Sequence, residues 1–324
     1  DFSDSDFKYM NLHGAWIREK HIEMAEVKKG FQGIESRRGA SSPNENPFMA
    51  IMRKDAVEDF GEVYGFSLVY SGNFKMLLEA ETYGTMRFQA GVNPHNFKWK
   101  LNKGEQFITP ELVMVYSKNG LGEMSRTFHR LYRRNLCRGI WRDKVRPILI
   151  NNWEATYFDF NEDKLINICK KASELGIELF VLDDGWFGKR NNDKSSLGDW
   201  FVNTDKLPGS LKGLSEKVDK LGMSFGLWVE PEMISEDSDL FRKHPDWALR
   251  IQGREMHEGR NQYVLDMGRD DVVAYLTDVF TAVLGSADIK YIKWDMNRSL
   301  MDVFSRGTED QGRVMYDYVL GLYD

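Results

Sequence analysis

Three polar residues stand two apart at the end of one apolar run: Lys293, Asp295 and Asn297 in YIKWDMNRSL, residues 291–300. Alternate side chains of a strand share a face, so a cation, an anion and an amide would project together. A lysine keeps a neighbouring carboxylate ionised and oriented, as a nucleophile must be, and the amide can hold a substrate hydroxyl. A plain salt bridge between Lys293 and Asp295 at a strand end accounts for the same spacing. Asp183 and Asp184 in FVLDDGW end a second apolar run. Two carboxylates there can accept hydrogen bonds from substrate hydroxyls, or simply cap a solvated turn ahead of Gly185.

Glu230 and Glu232 in WVEPEM flank Pro231, which stiffens the turn, so the pair is expected to hold neighbouring basic groups. Asp184, Glu230, Glu232 and Asp295 also make an oxygen donor set of the kind magnesium takes. Lys293, Arg260 and several tryptophans crowd cations and ring faces into the space a metal would fill, so no metal and no cofactor is expected. An indole face can stack on a sugar ring, which makes Trp16, Trp153, Trp186 and Trp228 candidates. For any single tryptophan, core burial is the commoner fate. Trp153 and Trp228 adjoin polar strand ends and are expected to meet a ligand.

The elements that must position these residues fall into two regions. Residues 1–118 read as short, alternating strands such as YGFSLVYSGNFKMLLEAE, with turn signals SGN, NPHN and NKGE between them. That spacing predicts an antiparallel β-sandwich. Residues 119–145 are expected to hold a linker helix with Met124, Phe128, Leu131 and Tyr132 on one face. From 146 to 324, strand and helix patterns alternate. RPILINNW, IELFVLDDGW, MSFGLWVEPEM, QYVLDMG and IKYIKWDMN read as five strands. NEDKLINICKKASELG reads as a helix burying Leu165, Ile168, Cys169 and Leu175. The polar candidates all fall at C-terminal strand ends, the active-site face of a (β/α)₈ barrel. No Gly-rich phosphate loop marks an open nucleotide-binding sheet. Five strands of eight predict a partial barrel and a chain that is part of a longer protein.

The chain has 324 residues, with 44 Lys plus Arg against 50 Asp plus Glu, a net charge of −6. That balance argues against a nucleic-acid partner. Two cysteines, outside any CxxC pair, argue against a disulfide framework or zinc site and for a reducing cytoplasm. No apolar run approaches membrane-spanning length, and no membrane partner is expected.

NNWEATYFDF, FVLDDGWFG, LGDWFVNTDKLPGSLKGL, GLWVEPEMISEDSDLFRKHPDW and YIKWDMNR, in this order, resemble glycoside hydrolase family 36, the bacterial-type α-galactosidases. LHGAWIRE and SSPNENPFMAI resemble that family's N-terminal sandwich. The resemblance implies a retaining hydrolase that cleaves terminal α-linked galactose from melibiose- and raffinose-type oligosaccharides. Asp295 would be its nucleophile, and the acid/base would be an Asp beyond the last residue here. Asp183 and Asp184 would bind the galactose 4- and 6-hydroxyls. Trp153 and Trp228 would line the pocket, Arg260, Lys293 and Asn297 would bind hydroxyls, and Trp16 would reach across from the sandwich. The resemblance also implies a homotetrameric parent and an isolated chain without activity. A non-catalytic galactoside-binding protein and a metal-dependent barrel enzyme are the alternatives.

Overall fold

The computed structural model describes residues 1–41 and 44–324; Ser42 and Pro43 of the SSPNENPFMAI motif lie outside them. The chain forms two compact units, Asp1–Lys144 and Val145–Asp324.

The first unit holds strands β1 (Phe7–Ala15), β2 (Arg18–Glu26), β3 (Gly30–Glu35), β4 (Glu45–Arg53), β5 (Val63–Val69), β6 (Phe74–Ala80), β7 (Met86–Val92) and β8 (Glu111–Ser117). They pair antiparallel as a five-stranded sheet, β2-β1-β4-β5-β8, and a three-stranded sheet, β3-β6-β7. Strand β6 shows strict alternation, with Phe74, Met76, Leu78 and Ala80 buried. Met49, Ala50, Ile51 and Met52 of β4 are all buried, so that strand is covered on both faces. Helix α1 (Gly120–Leu131) covers one of them, packing Met124 and Phe128 against Met10, Ala50, Met52 and Val115. Leu131 and Tyr132 pack against the same cluster, as their helical spacing predicts. The close approach depends on Gly65, where a Cβ would lie 2.6 Å from the Phe128 ring and 2.8 Å from the Met124 sulfur.

In the second unit, β9 (Leu149–Asn151), β10 (Leu179–Leu182), β11 (Ser224–Val229) and β14 (Ile289–Trp294) form one parallel sheet in the order β14-β11-β10-β9. The helices of this unit are α2 (Trp153–Thr156), α3 (Glu162–Glu174), α4 (Ser210–Asp219), α5 (Asp239–Lys243), α6 (Asp270–Gly285) and α7 (Val314–Tyr323). The central strands carry the core, with β10 buried throughout and β11 buried after Ser224. Asn161 caps α3 by accepting the Lys164 amide, and Leu165, Cys169 and Ala172 form its buried stripe. Leu175, expected inward, is 81% exposed because the helix has ended and the chain is turning out. No described helix is long and apolar enough to cross a membrane.

One expected strand does not join the parallel sheet. QYVLDMG contributes only β13 (Tyr263–Val264), which pairs antiparallel with β12 (Met233–Ile234). Strand β11 pairs directly with β14, Trp228 opposite Lys293. The left-handed backbone of Arg260 and Asn261, at φ 56° and 58°, turns the chain just before this run. It leaves room for two ladder residues folded back on the segment that follows β11.

Candidate active site

Each parallel strand hands a polar residue to the same end of the sheet. After β9, Asn152 is fully buried; its Oδ1 accepts the Asp183 backbone N–H at 2.9 Å, tying the ends of β9 and β10 together. Trp153 follows at the start of α2 and packs edge-on against Tyr157 and Phe158.

After β10 come Asp183 and Asp184, 2% and 6% exposed. Gly185, at φ 103°, supplies the left-handed turn that takes the chain away from the strand directly after them. Each acquires its own cation. Lys293 donates to Asp183 Oδ2 at 2.8 Å, reaching across β11 from β14. Arg190 clamps Asp184 at both oxygens, Nε to Oδ1 at 3.0 Å and Nη2 to Oδ2 at 2.9 Å. Burial pushes the Asp184 carboxyl above the usual range, and the Arg190 charge opposes that rise. Lys206 donates to the carbonyls of Phe158, Gly185 and Arg190, at 3.1, 2.9 and 2.9 Å, and so fixes the loop that carries the clamp. Burial lowers its own pKa.

After β14, the Asp295 N–H donates to Val229 O at 2.8 Å and extends the ladder. The Asp295 carboxylate accepts from Met296 N at Oδ1, and from Trp228 Nε1 at 3.1 Å and Asn297 Nδ2 at 2.9 Å at Oδ2. Trp228 is 2% exposed, its ring parallel to Phe187, and its carbonyl accepts from Trp186 Nε1. The side chains of Asp295 and Asn297 remain half-buried, and Arg260 is exposed, with Nη1 3.3 Å from Asn297 Oδ1.

After β11, Glu230 accepts from Asn297 N and Nδ2 at Oε1 and from Gln262 Nε2 at Oε2. Burial and the nearby Asp295 charge push its pKa up to about 7. Glu232 accepts from Trp294 Nε1 and Tyr318 Oη, and burial raises it too. The expectation that this pair holds basic groups is corrected: both carboxyls are buried and hydrogen-bonded by neutral donors. The proposed Lys293–Asp295 salt bridge is also replaced, since the ion pair of Lys293 is with Asp183.

The candidates thus form two linked groups, Asp184–Asp183–Lys293 and Trp228–Asp295–Asn297–Arg260, with Trp153 beside Asn152. Trp16 belongs to the first unit, 83% exposed between β1 and β2. Arg190, Lys206 and Gln262 are additions that the sequence did not single out. Arg190 and Lys206 lie in a loop, where no periodicity signals an inward side chain. Among the described residues, no three His, Cys, Asp or Glu side chains are arranged to share a metal ion.

The C-terminal edge of the parallel sheet thus gathers carboxylates, cations and indoles, the donors, acceptors and ring faces that polar, ring-shaped ligands meet. The Melibiase family model matches residues 106–324, and the glycosyl hydrolase family 36 N-terminal domain model matches residues 1–102. The chain belongs to glycosyl hydrolase family 36. It is 56% identical to α-galactosidase AgaA of Geobacillus stearothermophilus and 48% identical to α-galactosidase Mel36A of Lactobacillus acidophilus, across all of this chain. It spans 45% and 44% of those proteins, less than half their length. The crystal structure of the family 36 α-galactosidase AgaB from Geobacillus stearothermophilus superposes with a TM-score of 0.97 at 56% identity, over 99% of this chain and 45% of that one. An AgaA variant determined in complex with raffinose also gives 0.97, at 55% identity and the same coverage.

Proposed function

We propose that this chain supplies the sugar-binding face and the nucleophile of a retaining α-galactosidase, its parallel sheet forming the first strands of a (β/α)₈ barrel. The observation that carries the reading is the Asp295 carboxylate. It lies half-buried at a strand end, held by three neutral N–H donors, beside an Asp183–Lys293 pair that can bind hydroxyls. One Asp295 oxygen attacks the anomeric carbon as the bond to the aglycone oxygen breaks, and an acid protonates that leaving oxygen. Water then cleaves the galactosyl ester, giving up a proton to the same acid/base residue and restoring the Asp295 carboxylate.

The carboxyls close by are committed elsewhere. Asp184 is clamped by Arg190, and Glu230, 1% exposed, accepts three hydrogen bonds. The family resemblance puts the acid on an Asp outside these 324 residues, and the isolated chain is accordingly expected to turn over no substrate. Raffinose-type α-galactosides are the proposed substrates, in line with the raffinose complex of the AgaA variant. A magnesium ion at Asp184 would have to displace the guanidinium, which argues against the metal reading.

The test uses a full-length protein containing this chain and an aryl α-galactoside. Asp295→Asn is expected to cut turnover at least about 10³-fold, and EDTA to leave it unchanged. Turnover that survives Asp295→Asn, or that EDTA abolishes, would refute the reading.

A further inference from the structure

Asn297 has two side-chain N–H groups, and both are spoken for: one donates to Asp295 Oδ2 at 2.9 Å, the other to Glu230 Oε1 at 3.1 Å. An amide turned by 180° would keep its shape but aim Oδ1 at the Asp295 carboxylate, lone pair against lone pair. Two groups oppose that turn. Arg260 is exposed, and its contact to Oδ1 is 3.3 Å. Glu230 is 1% exposed and also accepts the Asn297 backbone N–H at 3.0 Å. It follows directly on β11, whose Val229 carbonyl accepts the Asp295 N–H. The acceptor and the residue it aligns are thus carried by adjacent rungs of one ladder.

We propose that Glu230 is a positioning residue for Asp295, acting through Asn297: its Oε1 fixes the amide so that N–H, not C=O, faces the attacking carboxylate. The inference rests on the nucleophile reading of Asp295. Buried, with both oxygens occupied, Glu230 does not meet the sugar.

A second observation supplies the discriminating variants. Gln262, which donates to Glu230 Oε2, has a buried Oε1 with no partner. In Glu230→Gln, Oε1 keeps both Asn297 bonds. The new Nε2 replaces Oε2, and Gln262 turns its unpartnered Oε1 to accept. Every hydrogen bond is remade and only the charge is lost. Glu230→Asp does the reverse, keeping the charge and withdrawing the acceptor by one methylene.

In a full-length protein containing this chain, assayed on an aryl α-galactoside, Glu230→Gln is expected to keep at least about a third of wild-type kcat/KM. Glu230→Asp is expected to lose tenfold to about 10²-fold, mainly in kcat, as nucleophile misplacement by about 1 Å does. In an Asn297→Ala background the two Glu230 variants should differ by less than about threefold, because the residue they act through is gone. A purely structural carboxylate would give losses that follow the unfolding midpoint and add to those of Asn297→Ala. Full activity in Glu230→Asp, or a Glu230→Gln loss as large as that of Glu230→Asp, overturns the proposal while Asp295→Asn remains inactive. Turnover that survives Asp295→Asn removes the nucleophile reading and this proposal together.

Discussion

Replacing Arg190 by methionine deletes a buried cation while keeping most of its volume. The guanidinium is 1% exposed and bridges both oxygens of Asp184, itself 6% exposed, and its Nη1 donates to Ser195 O at 2.9 Å. The substitution leaves a carboxylate with no counter-ion in an enclosed site and a carbonyl without its donor. Breaking one side of a buried pair costs about 3–5 kcal/mol, because the stranded charge keeps its desolvation penalty and loses its attraction. The control is Arg242, which pairs with Asp237 and Asp239 through side chains 56–71% exposed. Water screens that pair, and Arg242→Met is expected to change stability little.

The sign with pH follows from Asp184. Burial already raises its carboxyl in the folded state, and Arg190 limits the rise. Without Arg190 the folded-state pKa climbs further while the unfolded value is unchanged. A raised carboxyl contributes stability that is present below its unfolded pKa and lost as pH rises through the folded one. The deficit of Arg190→Met should therefore be larger at pH 8 than at pH 5. Urea unfolding followed by tryptophan fluorescence measures it, and Arg190→Met with Asp184→Asn should recover part of the loss. A deficit under about 1 kcal/mol at pH 8, the range of an exposed pair, would refute the reasoning. So would a deficit that shrinks as pH rises.

Glu230 gives a second pH test. Its pKa, raised by burial and the Asp295 charge from 4.5 to about 7, makes wild-type stability fall as pH rises through that window. Glu230→Gln should gain on wild type by up to about 3 kcal/mol between pH 4.5 and pH 8, read by unfolding at both ends. Gly65→Ala drives a methyl to 2.6 Å from the Phe128 ring and should cost about 1–3 kcal/mol of overpacking in thermal unfolding. Gly213→Ala, on α4 with nothing within 4 Å of the new Cβ, should instead stabilise by about 0.5–1 kcal/mol. Asn161→Ala removes the α3 cap, whose Oδ1 accepts the Lys164 amide at 3.0 Å, and should cost about 1 kcal/mol in the same assay.

Strand ends were the part of the site legible in the sequence. Apolar runs closing on DDGW and KWDMN mark where a parallel sheet stops, and polar residues there project to one edge. The partners of those residues were not legible. Spacing suggested that Lys293 would meet Asp295, yet its ion pair is with Asp183, 110 positions away, because parallel strands bring distant segments side by side. Arg190 and Lys206 sit in an irregular loop, and only tertiary structure says that a loop cation points inward. QYVLDMG has strand composition, but composition cannot say that only Tyr263 and Val264 form ladder pairs or that the ladder is antiparallel. Leu175 misled for a related reason, since apolar periodicity carried one step past the helix end.

The distribution of partners among the carboxylates supports the functional reading more than any single contact. Asp183 and Asp184 each hold a cation, which fixes their orientation and suits them to binding hydroxyls that need a fixed acceptor. Asp295 has no ion-pair partner within 4.0 Å among the described residues and is held by indole, amide and backbone N–H groups. A counter-ion on the attacking oxygen would stabilise the free carboxylate more than the transition state, where that charge passes into the new bond. Neutral donors orient the group at a smaller ground-state cost. Glu230 then occupies the remaining role: fully buried, with a neutral form within reach near pH 7, it can fix Asn297 without adding a full second negative charge beside Asp295.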